Sequence, residues 1–189
     1  MAKRICPFWV GYLLISPLRT LMQNPQKILS RYIASGTKVL DIGCGMGFFS
    51  LPLARMVGSN GKVICVDVQE KMIKSLKKRA KKAGLADRIE TRISHQNTPG
   101  LNDLNEEIDF ALAFAVVHEV LDVAQFFSEI YKALKPAGTL LIAEPRGHVS
   151  EKDFEITTAV AQHNGFKIIN HPEIWRSRTI LLQKSFPYE

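Results

Sequence analysis

Short apolar runs alternate with amphipathic, helix-like stretches through most of the 189-residue chain. This alternation predicts a mostly parallel sheet with helices on both faces. The first strand is expected at Lys38–Ile42, a short apolar run that ends in a cluster of glycines. The other strands are expected at Lys62–Asp67, Arg88–Ile93, Ile108–Phe114, Thr139–Glu144, Phe166–Asn170 and Thr179–Lys184. The last two have no helix between them, so we expect an antiparallel pair at the edge of the sheet.

Capping residues, prolines and glycines mark the ends of the helices between these strands. Asn24 followed by Pro25 predicts a helix that runs to about Ala34. Further helices are expected at Gly47–Val57, at Gln69–Ala83, from the cap Asp122 to Leu134, and from the capping box at Ser150 to about Asn164. A turn is expected at Lys135–Gly138.

The length of the chain fits one domain over residues 1–189, with an N-terminal helical or lid segment at 1–36 and a core at 37–189. Apolar residues make up 46% of the sequence, which is enough for a substantial core. The longest apolar run, Cys6–Ile15, is too short for a membrane span. The three cysteines form no CxxC pair, so we expect neither a metal site nor a disulfide framework, and their sparse use favours a cytoplasmic location.

The net charge of +7 is concentrated on one predicted helix. Of the 25 lysines and arginines, seven lie between Lys71 and Lys82 with no acid among them, and the other 18 match the 18 acidic residues. Such a run is usually the solvated face of a helix. A basic patch for RNA or acidic lipid is the alternative.

The candidate chemistry lies at the end of the first strand, in the stretch Val39–Ser50 (VLDIGCGMGFFS). Glycines let the backbone turn sharply and approach a ligand closely. The loop and the start of the next helix present N–H groups and the positive end of a dipole, which suit a carboxylate. The second strand ends in Asp67, which a doubly wound sheet would place beside the same crevice, where it could accept both hydroxyls of a ribose.

A nicotinamide dehydrogenase would use the same geometry, so the glycine spacing decides between the two classes. The dinucleotide fingerprint is GxGxxG. This chain has GxGxG, and Phe48 stands where the fingerprint has its third glycine. In addition, Asp41 lies two residues before the first glycine. A nicotinamide oxidoreductase is therefore disfavoured.

The DxGxGxG arrangement from Asp41 to Gly47 resembles motif I of class I S-adenosylmethionine (SAM)-dependent methyltransferases. The resemblance extends from about Ile28 to Lys184. It implies a Rossmann-like α/β fold with seven strands in the order 3-2-1-4-5-7-6 and strand 7 antiparallel. It also implies SAM as the cofactor and S-adenosylhomocysteine as the product.

By the same resemblance, residues at the ends of the strands would hold SAM. Asp41 would orient the glycine loop, Asp67 would hold the ribose, and Val68 would pack on the adenine. The family usually has an acidic residue after strand 3, and this chain has none there, so the adenine contact would fall to Ser94, His95 or a backbone group. The other candidate cofactor residues are Gly43, Cys44, Gly45, Gly47, Ala113 and Phe114.

Methyl transfer is an in-line displacement from a sulfonium, to which an enzyme contributes mainly by aligning the reacting atoms. A general base is needed only where the nucleophile must lose a proton. The candidates are His118 and Glu119 beyond strand 4 and His148 beyond strand 5, with a role for His118 as a simple pocket wall as the alternative. Glu144 and Arg146 are candidates for the rim of the substrate pocket, or for an ordinary polar loop.

The segment after strand 4 bears on the acceptor. Ala113–Glu119 (AFAVVHE) lacks the (Asp/Asn)-Pro-Pro-Tyr segment of the adenine-, cytosine- and glutamine-modifying members. It resembles the small-molecule branch, which includes ubiquinone/menaquinone biosynthesis methyltransferases and arsenite methyltransferases, although the three cysteines offer no obvious arsenite set. Phe8, Trp9 and Tyr12 would form a lid that favours a lipid-like acceptor or contact with a membrane surface, or else would be extra core.

The sequence therefore predicts a cytoplasmic enzyme that transfers a methyl group from SAM to a small acceptor, hydrophobic if the aromatic segment forms a lid. One alternative is an RNA methyltransferase that uses the Lys71–Lys82 helix, and another is a non-catalytic SAM-binding protein. Nucleic acid is the less expected partner, because a helix after strand 2 lies on an outer layer. No transmembrane segment is expected, and the oligomeric state stays open.

Overall fold

The computed structural model describes residues 7, 9, 11, 15–95 and 98–185, with residues 17 and 18 described by their backbone alone. The strands are β1 Lys38–Ile42, β2 Lys62–Asp67, β3 Ile89–Ile93, β4 Ile108–Phe114, β5 Leu134–Pro145, β6 Phe166–Asn170 and β7 Ser177–Lys184. The α-helices are α1 Pro17–Met22, α2 Pro25–Leu29, α3 Ser50–Met56, α4 Glu70–Lys82, α5 Val123–Ala133 and α6 Glu151–His163. Single 3₁₀ turns occur at Ala86–Arg88 and Val117–Glu119.

The seven strands follow the order β3-β2-β1-β4-β5-β7-β6. β1, β2 and β3 pair in parallel, as do β4 and β5, whereas β7 runs antiparallel to both β5 and β6. This confirms the predicted Rossmann-like fold class with an antiparallel seventh strand. The chain divides into two compact units, one up to Ser94 and one from His95 onward. The single domain over 1–189 stays a prediction.

The unit up to Ser94 is built on β1, β2 and β3. Helices α3 and α4 pack on β2, and α4 also packs on β3. Because helices cover them, β1 and β2 are apolar and buried along nearly their whole length. The buried positions of α4 are Met72, Ile73, Leu76 and Ala80. Two carboxylates interrupt the buried strands, since Asp41 is 2% and Asp67 9% exposed.

The unit from His95 onward is built on β5, which pairs with β4 on one side and β7 on the other. Asp122 caps α5 by accepting the Gln125 amide at 2.9 Å. Ser150 caps α6 by accepting the Asp153 amide at 3.1 Å and donating its hydroxyl to the Asp153 carboxylate at 2.6 Å. Both caps confirm the sequence prediction. The buried residues of α5 include Phe126, Phe127, Ile130 and Ala133.

The structure departs from the sequence prediction mainly at helix ends. Helix α3 begins at Ser50 rather than at Gly47, because the glycine loop has left-handed backbone up to Gly47. Helix α2 ends at Leu29, five residues before the predicted Ala34. Helix α1 was not predicted, although Ser16 before Pro17 is the same signal as Asn24 before Pro25.

The predicted turn at Lys135–Gly138 lies inside β5 instead. Ile108 pairs with Leu134 and Phe110 with Thr139, so the four residues between form an irregularity in the strand. Ala137 takes a left-handed φ of 61° there. The turn residues therefore produce a bulge without ending the strand.

Close approach of two backbone segments explains Gly61, which comes directly before β2. A Cβ added there would lie 2.6 Å from the Val57 carbonyl oxygen and 2.7 Å from that of Thr37. We expect Gly61→Ala to lower the free energy of unfolding by about 1–3 kcal/mol, because the two backbones must move apart. At Gly147 an added Cβ meets no atom of the described part of the chain within 4 Å, so Gly147→Ala is the matched control. Urea denaturation measures both, and equal losses would contradict this account.

Candidate functional site

The glycine-rich loop joins β1 to α3 and is pinned to the end of β2. The amides of Gly43 and Cys44 both donate to the carbonyl of Val66, at 2.8 and 3.1 Å. Gly43, Gly45 and Gly47 have φ values of 70°, 52° and 85°, a region that glycine adopts without steric cost. The loop is thereby held at the carboxyl ends of β1 and β2, where ligands bind in doubly wound sheets.

Asp67 is the last residue of β2 and directs its carboxylate at this loop. Oδ2 accepts the Gly45 amide and Oδ1 accepts the Gln69 amide, both at 2.8 Å. Burial raises the pKa of Asp67, and the two amide bonds oppose that rise. A carboxylate offers about four acceptor positions, so two amide bonds leave capacity for both hydroxyls of a ribose. The side chain that the sequence predicted for this role is thus rigidly oriented.

Asp41 ties the end of β1 to the start of α3. Its Oδ2 accepts the hydroxyl of Ser50 at 2.5 Å. The pKa of Asp41 is raised to about 7, mainly by burial and also by the charge of Asp67, while the Ser50 hydroxyl and the Arg19 cation oppose the rise. The contact supports the predicted loop-orienting role of Asp41. Sequence reasoning did not identify Ser50 as its partner.

Arg19, on α1, is the second residue that sequence reasoning missed. Its guanidinium lies 4.2 Å from the ring centroid of Phe48 and 5.5 Å from that of Phe49. Nε donates to the Gln23 side chain at 3.0 Å. Burial lowers the pKa of Arg19 to about 10, which the negative charge of Asp41 opposes. A half-buried cation is therefore held beside the glycine loop by a helix whose only sequence signal was Ser16 before Pro17.

The glycines of the loop differ in what surrounds them. A Cβ added to Gly45 would meet no heavy atom of the described residues within 4 Å, so among these residues the main chain there borders open space. A Cβ added to Gly47 would lie 2.4 Å from Cδ1 of Leu76, a fully buried residue of α4. Gly45 can therefore approach a ligand, whereas Gly47 allows the loop to pack on a helix.

Cys44 turns its side chain into the core. Burial raises the pKa of its thiol well above the ordinary value, and so does a hydrogen bond with the thiol of Cys65. Both thiols are buried and neither is in a disulfide. The predicted contact of Cys44 with a ligand could thus involve its main chain only.

Three predicted adenine contacts lie near the ends of β2 and β3. Val68, directly after β2, is half-buried. The Ser94 amide donates to the Asp67 carbonyl at 3.1 Å, and His95 is exposed and forms a backbone bridge with Thr98. Their contact with adenine stays a prediction.

The basic helix α4 has two different faces. Its six lysines are exposed, and Lys74 pairs with Glu70 at 2.9 Å. Arg79 is instead half-buried and donates to the carbonyl of Met46 in the glycine loop. One of the seven cations therefore braces the loop and is not part of the solvated face.

A second cluster of polar residues, in the unit from His95 onward, surrounds the end of β5. Glu144 is 1% exposed. Its Oε1 accepts the amides of Val116 and Val117 at 3.1 and 2.8 Å, and its Oε2 pairs with Nδ1 of His118 at 2.5 Å. Glu144 is thus buried at the base of the turn that follows β4. Its predicted place at the rim of the substrate pocket stays a prediction.

The three catalytic candidates converge in this unit. Nε2 of His118 lies 4.0 Å from the carboxylate of Glu119. The rings of His118 and His148 meet edge to face with centroids 5.7 Å apart. Because Nδ1 faces the Glu144 carboxylate, the neutral ring carries its proton on Nδ1 and its lone pair on Nε2. The predicted cofactor residues Ala113 and Phe114 form the buried end of β4 in the same unit.

A cleft of about 910 Å³ lies in the unit from His95 onward, lined by α6 and the connection between β6 and β7. Arg146, His171 and Trp175 line it. The predicted place of Arg146 at the rim of the substrate pocket stays a prediction. Trp175 is 52% exposed, and the guanidinium of Arg176 lies 5.4 Å from the centroid of its ring. The cleft thus combines aromatic and charged groups.

Among the residues that the structure describes, no group of three or more His, Cys, Asp or Glu side chains could hold a metal ion. Within the same residues, no helix has the length and apolar character needed to span a membrane. Of the predicted aromatic lid, Phe8 and Tyr12 lie outside the described residues, as does Cys6, and Trp9 is 66% exposed. The lid stays a prediction.

Comparison with known proteins supports the same interpretation. A family model described as a methyltransferase domain matches residues 33–184. A crystal structure of a SAM-dependent methyltransferase from Aquifex aeolicus is similar, with a TM-score of 0.85 and 25% identity, over 95% of this chain and 100% of that one.

Curated relatives include quinone-biosynthesis enzymes. The chain is 34% identical over 140 residues to a ubiquinone biosynthesis O-methyltransferase of Bradyrhizobium diazoefficiens, which is 74% of this chain and 51% of the relative. It is 27% identical over 138 residues to a ubiquinone/menaquinone biosynthesis C-methyltransferase of a Marinomonas species, which is 72% of this chain and 52% of the relative. The chain therefore spans about half the length of the curated relatives it matches.

The raised pKa of Asp41 predicts a pH dependence of stability. Its pKa is about 7 in the folded protein and about 4 in an unfolded chain, so the folded state retains the proton between these values. Through this group the free energy of unfolding falls as the pH rises from about 4 to about 7. Asp41→Asn should escape that loss, so its free energy of unfolding relative to the natural protein should rise by about 1–3 kcal/mol across this range.

Urea denaturation of both proteins at several pH values from about 5 to about 7.5 measures this difference. Asn keeps the size of the side chain and a carbonyl oxygen for the Ser50 hydroxyl, so the comparison isolates the charge. A difference that stays constant with pH would contradict a raised pKa at Asp41.

Proposed function

We propose that this chain, which belongs to the class I SAM-dependent methyltransferase family, transfers the methyl group of SAM to a small acceptor by in-line displacement. SAM is the cofactor of the family, and S-adenosylhomocysteine is its product. The observation that carries the proposal is the bond between the Asp67 carboxylate and the Gly45 amide. It joins a ribose-binding group to a loop that borders open space at Gly45.

The residues of this loop fit SAM. Asp67 keeps acceptor capacity for the two ribose hydroxyls after binding two amides. Val68 directly follows Asp67 in the chain, and Ser94 directly follows β3. Both would contact the adenine. The open side of Gly45 would allow the methionine part to approach the main chain. In this arrangement Asp41 acts through Ser50, by keeping the loop in shape.

Arg19 would bind the carboxylate of SAM. The amides of Gly43, Cys44 and Gly45 already donate to Val66 or Asp67 and cannot serve that carboxylate as the sequence had suggested. The half-buried guanidinium of Arg19, which packs against Phe48 next to the loop, supplies the charge instead. Arginine suits this role because its planar group presents several N–H donors in a fixed fork.

Two observations support a small acceptor. The chain is similar to quinone-biosynthesis methyltransferases. It also has a cleft of about 910 Å³, partly lined by Phe154, Ile174 and Trp175, and pockets for small molecules are usually of this size. An RNA acceptor would instead require phosphate contacts from the exposed lysines of α4.

Binding of S-adenosylhomocysteine, measured by calorimetry, tests the cofactor site. We expect Asp67→Asn and Arg19→Gln each to weaken binding by about 10- to 100-fold, because each removes one charge-assisted hydrogen-bonding group of roughly 1.5–3 kcal/mol. Arg31→Gln is the matched control, since Arg31 is an exposed residue of the same unit. Unchanged binding by Arg19→Gln would reject its role, and no binding by the natural protein would reject the SAM site.

Incubation with tritiated SAM tests the acceptor class. We expect label to pass into small phenolic or lipid-extract acceptors at a rate that does not depend steeply on salt. Transfer into RNA with a steep salt dependence would contradict the proposal, because phosphate contacts weaken as salt rises. Binding of SAM without transfer to any fraction of a cell extract would favour a non-catalytic protein.

A further inference from the structure

We propose that β3 is a self-complementary sheet edge through which two copies of this chain pair as an antiparallel dimer. The inference goes beyond the proposed function and does not depend on it. β3 lies at one end of the strand order and, among the strands of the described residues, pairs with β2 alone. All five of its residues pair with β2 in regular register, without a bulge. A regular edge strand offers its outward N–H and C=O groups to another strand.

The pairing with β2 determines which main-chain groups of β3 point outward. The Ser94 amide, directly after β3, donates to the Asp67 carbonyl of β2 at 3.1 Å. In a parallel ladder, alternate residues direct both their N–H and their C=O to the same neighbouring strand. Every second residue of β3, counted back from Ser94, therefore bonds to β2. The residues between them face away from β2, and these are Ile89, Thr91 and Ile93.

The sequence of β3, Ile-Glu-Thr-Arg-Ile, complements itself when a second copy runs antiparallel to it. A two-fold contact uses the same surface on both copies, and an axis through Thr91 places Glu90 opposite Arg92 of the second copy. The same axis places Ile89 opposite Ile93 of the second copy. Cross-strand pairs of opposite charge stabilise a sheet, and like charges directly opposite each other destabilise it. A shift of two residues in either direction would oppose two glutamates or two arginines, so the charges select this register.

The same axis also matches the outward main-chain groups. In an antiparallel pair, two opposite residues can exchange both of their N–H···O=C bonds, and Thr91 faces outward with both groups at the axis. The Ile93 N–H meets the Ile89 carbonyl of the second copy. The Ile89 N–H takes no part, because it donates to the Ala86 carbonyl within its own chain. Donors and acceptors of the two copies therefore match at the centre of the strand and toward its end.

The side chains of β3 suit this contact. Ile93 is 55% exposed and would be covered by Ile89 of the second copy. The guanidinium of Arg92 lies 2.8 Å from the carboxylate of Glu90 in its own strand, and the Glu90 side chain is 43% exposed. These two residues fall at the non-hydrogen-bonded positions, where opposite Cα atoms are about 4.5 Å apart. The ion pair of one copy thus meets the inverted ion pair of the other, and the charges alternate in sign around the axis.

The other edge of the sheet, β6, is built differently. Lys167 is exposed there, and the pairing of β6 with β7 shifts in register between Ile168 and Asn170. An edge lysine and a bulge are features that prevent two sheet edges from pairing. Neither feature occurs within β3, whose charges repel a second copy only in the wrong register. The edge that fits a second copy is therefore β3.

Sedimentation equilibrium over a range of protein concentrations tests the pairing. The contact is small, so we expect a weak dimer whose share of the protein rises with concentration. Thr91→Pro removes the N–H at the axis from both copies and costs no bond to β2, because Thr91 faces away from that strand. We expect this change to raise the dissociation constant of the dimer by about tenfold or more.

Charge variants test the register. Arg92→Glu and Glu90→Arg should each raise the dissociation constant by about tenfold or more, because each places like charges opposite each other on both sides of the axis. An equimolar mixture of the two variants should dimerise about as tightly as the natural protein, since each glutamate of one chain then faces an arginine of the other. Lys167→Glu is the matched control at the other edge of the sheet and should leave the dissociation constant unchanged.

Thermal unfolding of every variant separates a loss of pairing from a loss of the fold, and if Thr91→Pro unfolds, the charge variants and their mixture decide. A natural protein that stays monomeric at about 1 mM would overturn the proposal. A dimer that both charge variants leave intact, or that Lys167→Glu weakens equally, would also overturn it. So would a mixture of the charge variants that associates no more tightly than either variant alone.

Discussion

The glycine-rich loop of the unit up to Ser94 depends on the hydrogen bond between the Gly45 amide and the Asp67 carboxylate. A carboxylate that is only 9% exposed needs donors, and the nearest are main-chain amides. Supplying one from the loop requires a left-handed backbone at Gly45, which glycine adopts without a steric penalty. The remaining contacts of the loop, from Asp41 through Ser50 and from Arg79 to Met46, keep it in the conformation that this bond requires.

A buried carboxylate that accepts main-chain amides also occurs in the unit from His95 onward, where it has a different role. Glu144, like Asp67, ends a buried strand and accepts two main-chain amides. In both cases the amides fix the carboxylate and leave one face of it to act on something else. The remaining acceptor positions of Asp67 suit neutral hydroxyls, whereas Oε2 of Glu144 pairs with the imidazole of His118. Main-chain amides thus hold a buried carboxylate in a fixed orientation. The group that binds its remaining lone pairs then determines what the carboxylate does.

Sequence reasoning succeeded where a local pattern determines the structure. β1, β2 and β4 have the predicted bounds, because buried strands are apolar runs with clear ends. β6 also has the predicted bounds, although most of its residues are exposed. Sequence reasoning failed where partners are distant: Glu144 and His118 were both noted as candidates, but 26 residues separate them and no spacing rule links them. Arg19 was missed for another reason, since its role depends on burial against Phe48, which a single cation in a sequence does not reveal.

The basic helix α4 shows why net charge alone is a weak guide to a partner. Its seven cations look alike in the sequence, yet Arg79 supports the glycine loop, and Lys74 is neutralised by Glu70 one turn away. On the same helix, Leu76 fills the space that Gly47 leaves open. The inner face of α4 therefore supports the glycine-rich loop, and the exposed lysines keep the outer face of the helix solvated. A positive charge that already stabilises the fold does not by itself indicate that the protein binds nucleic acid.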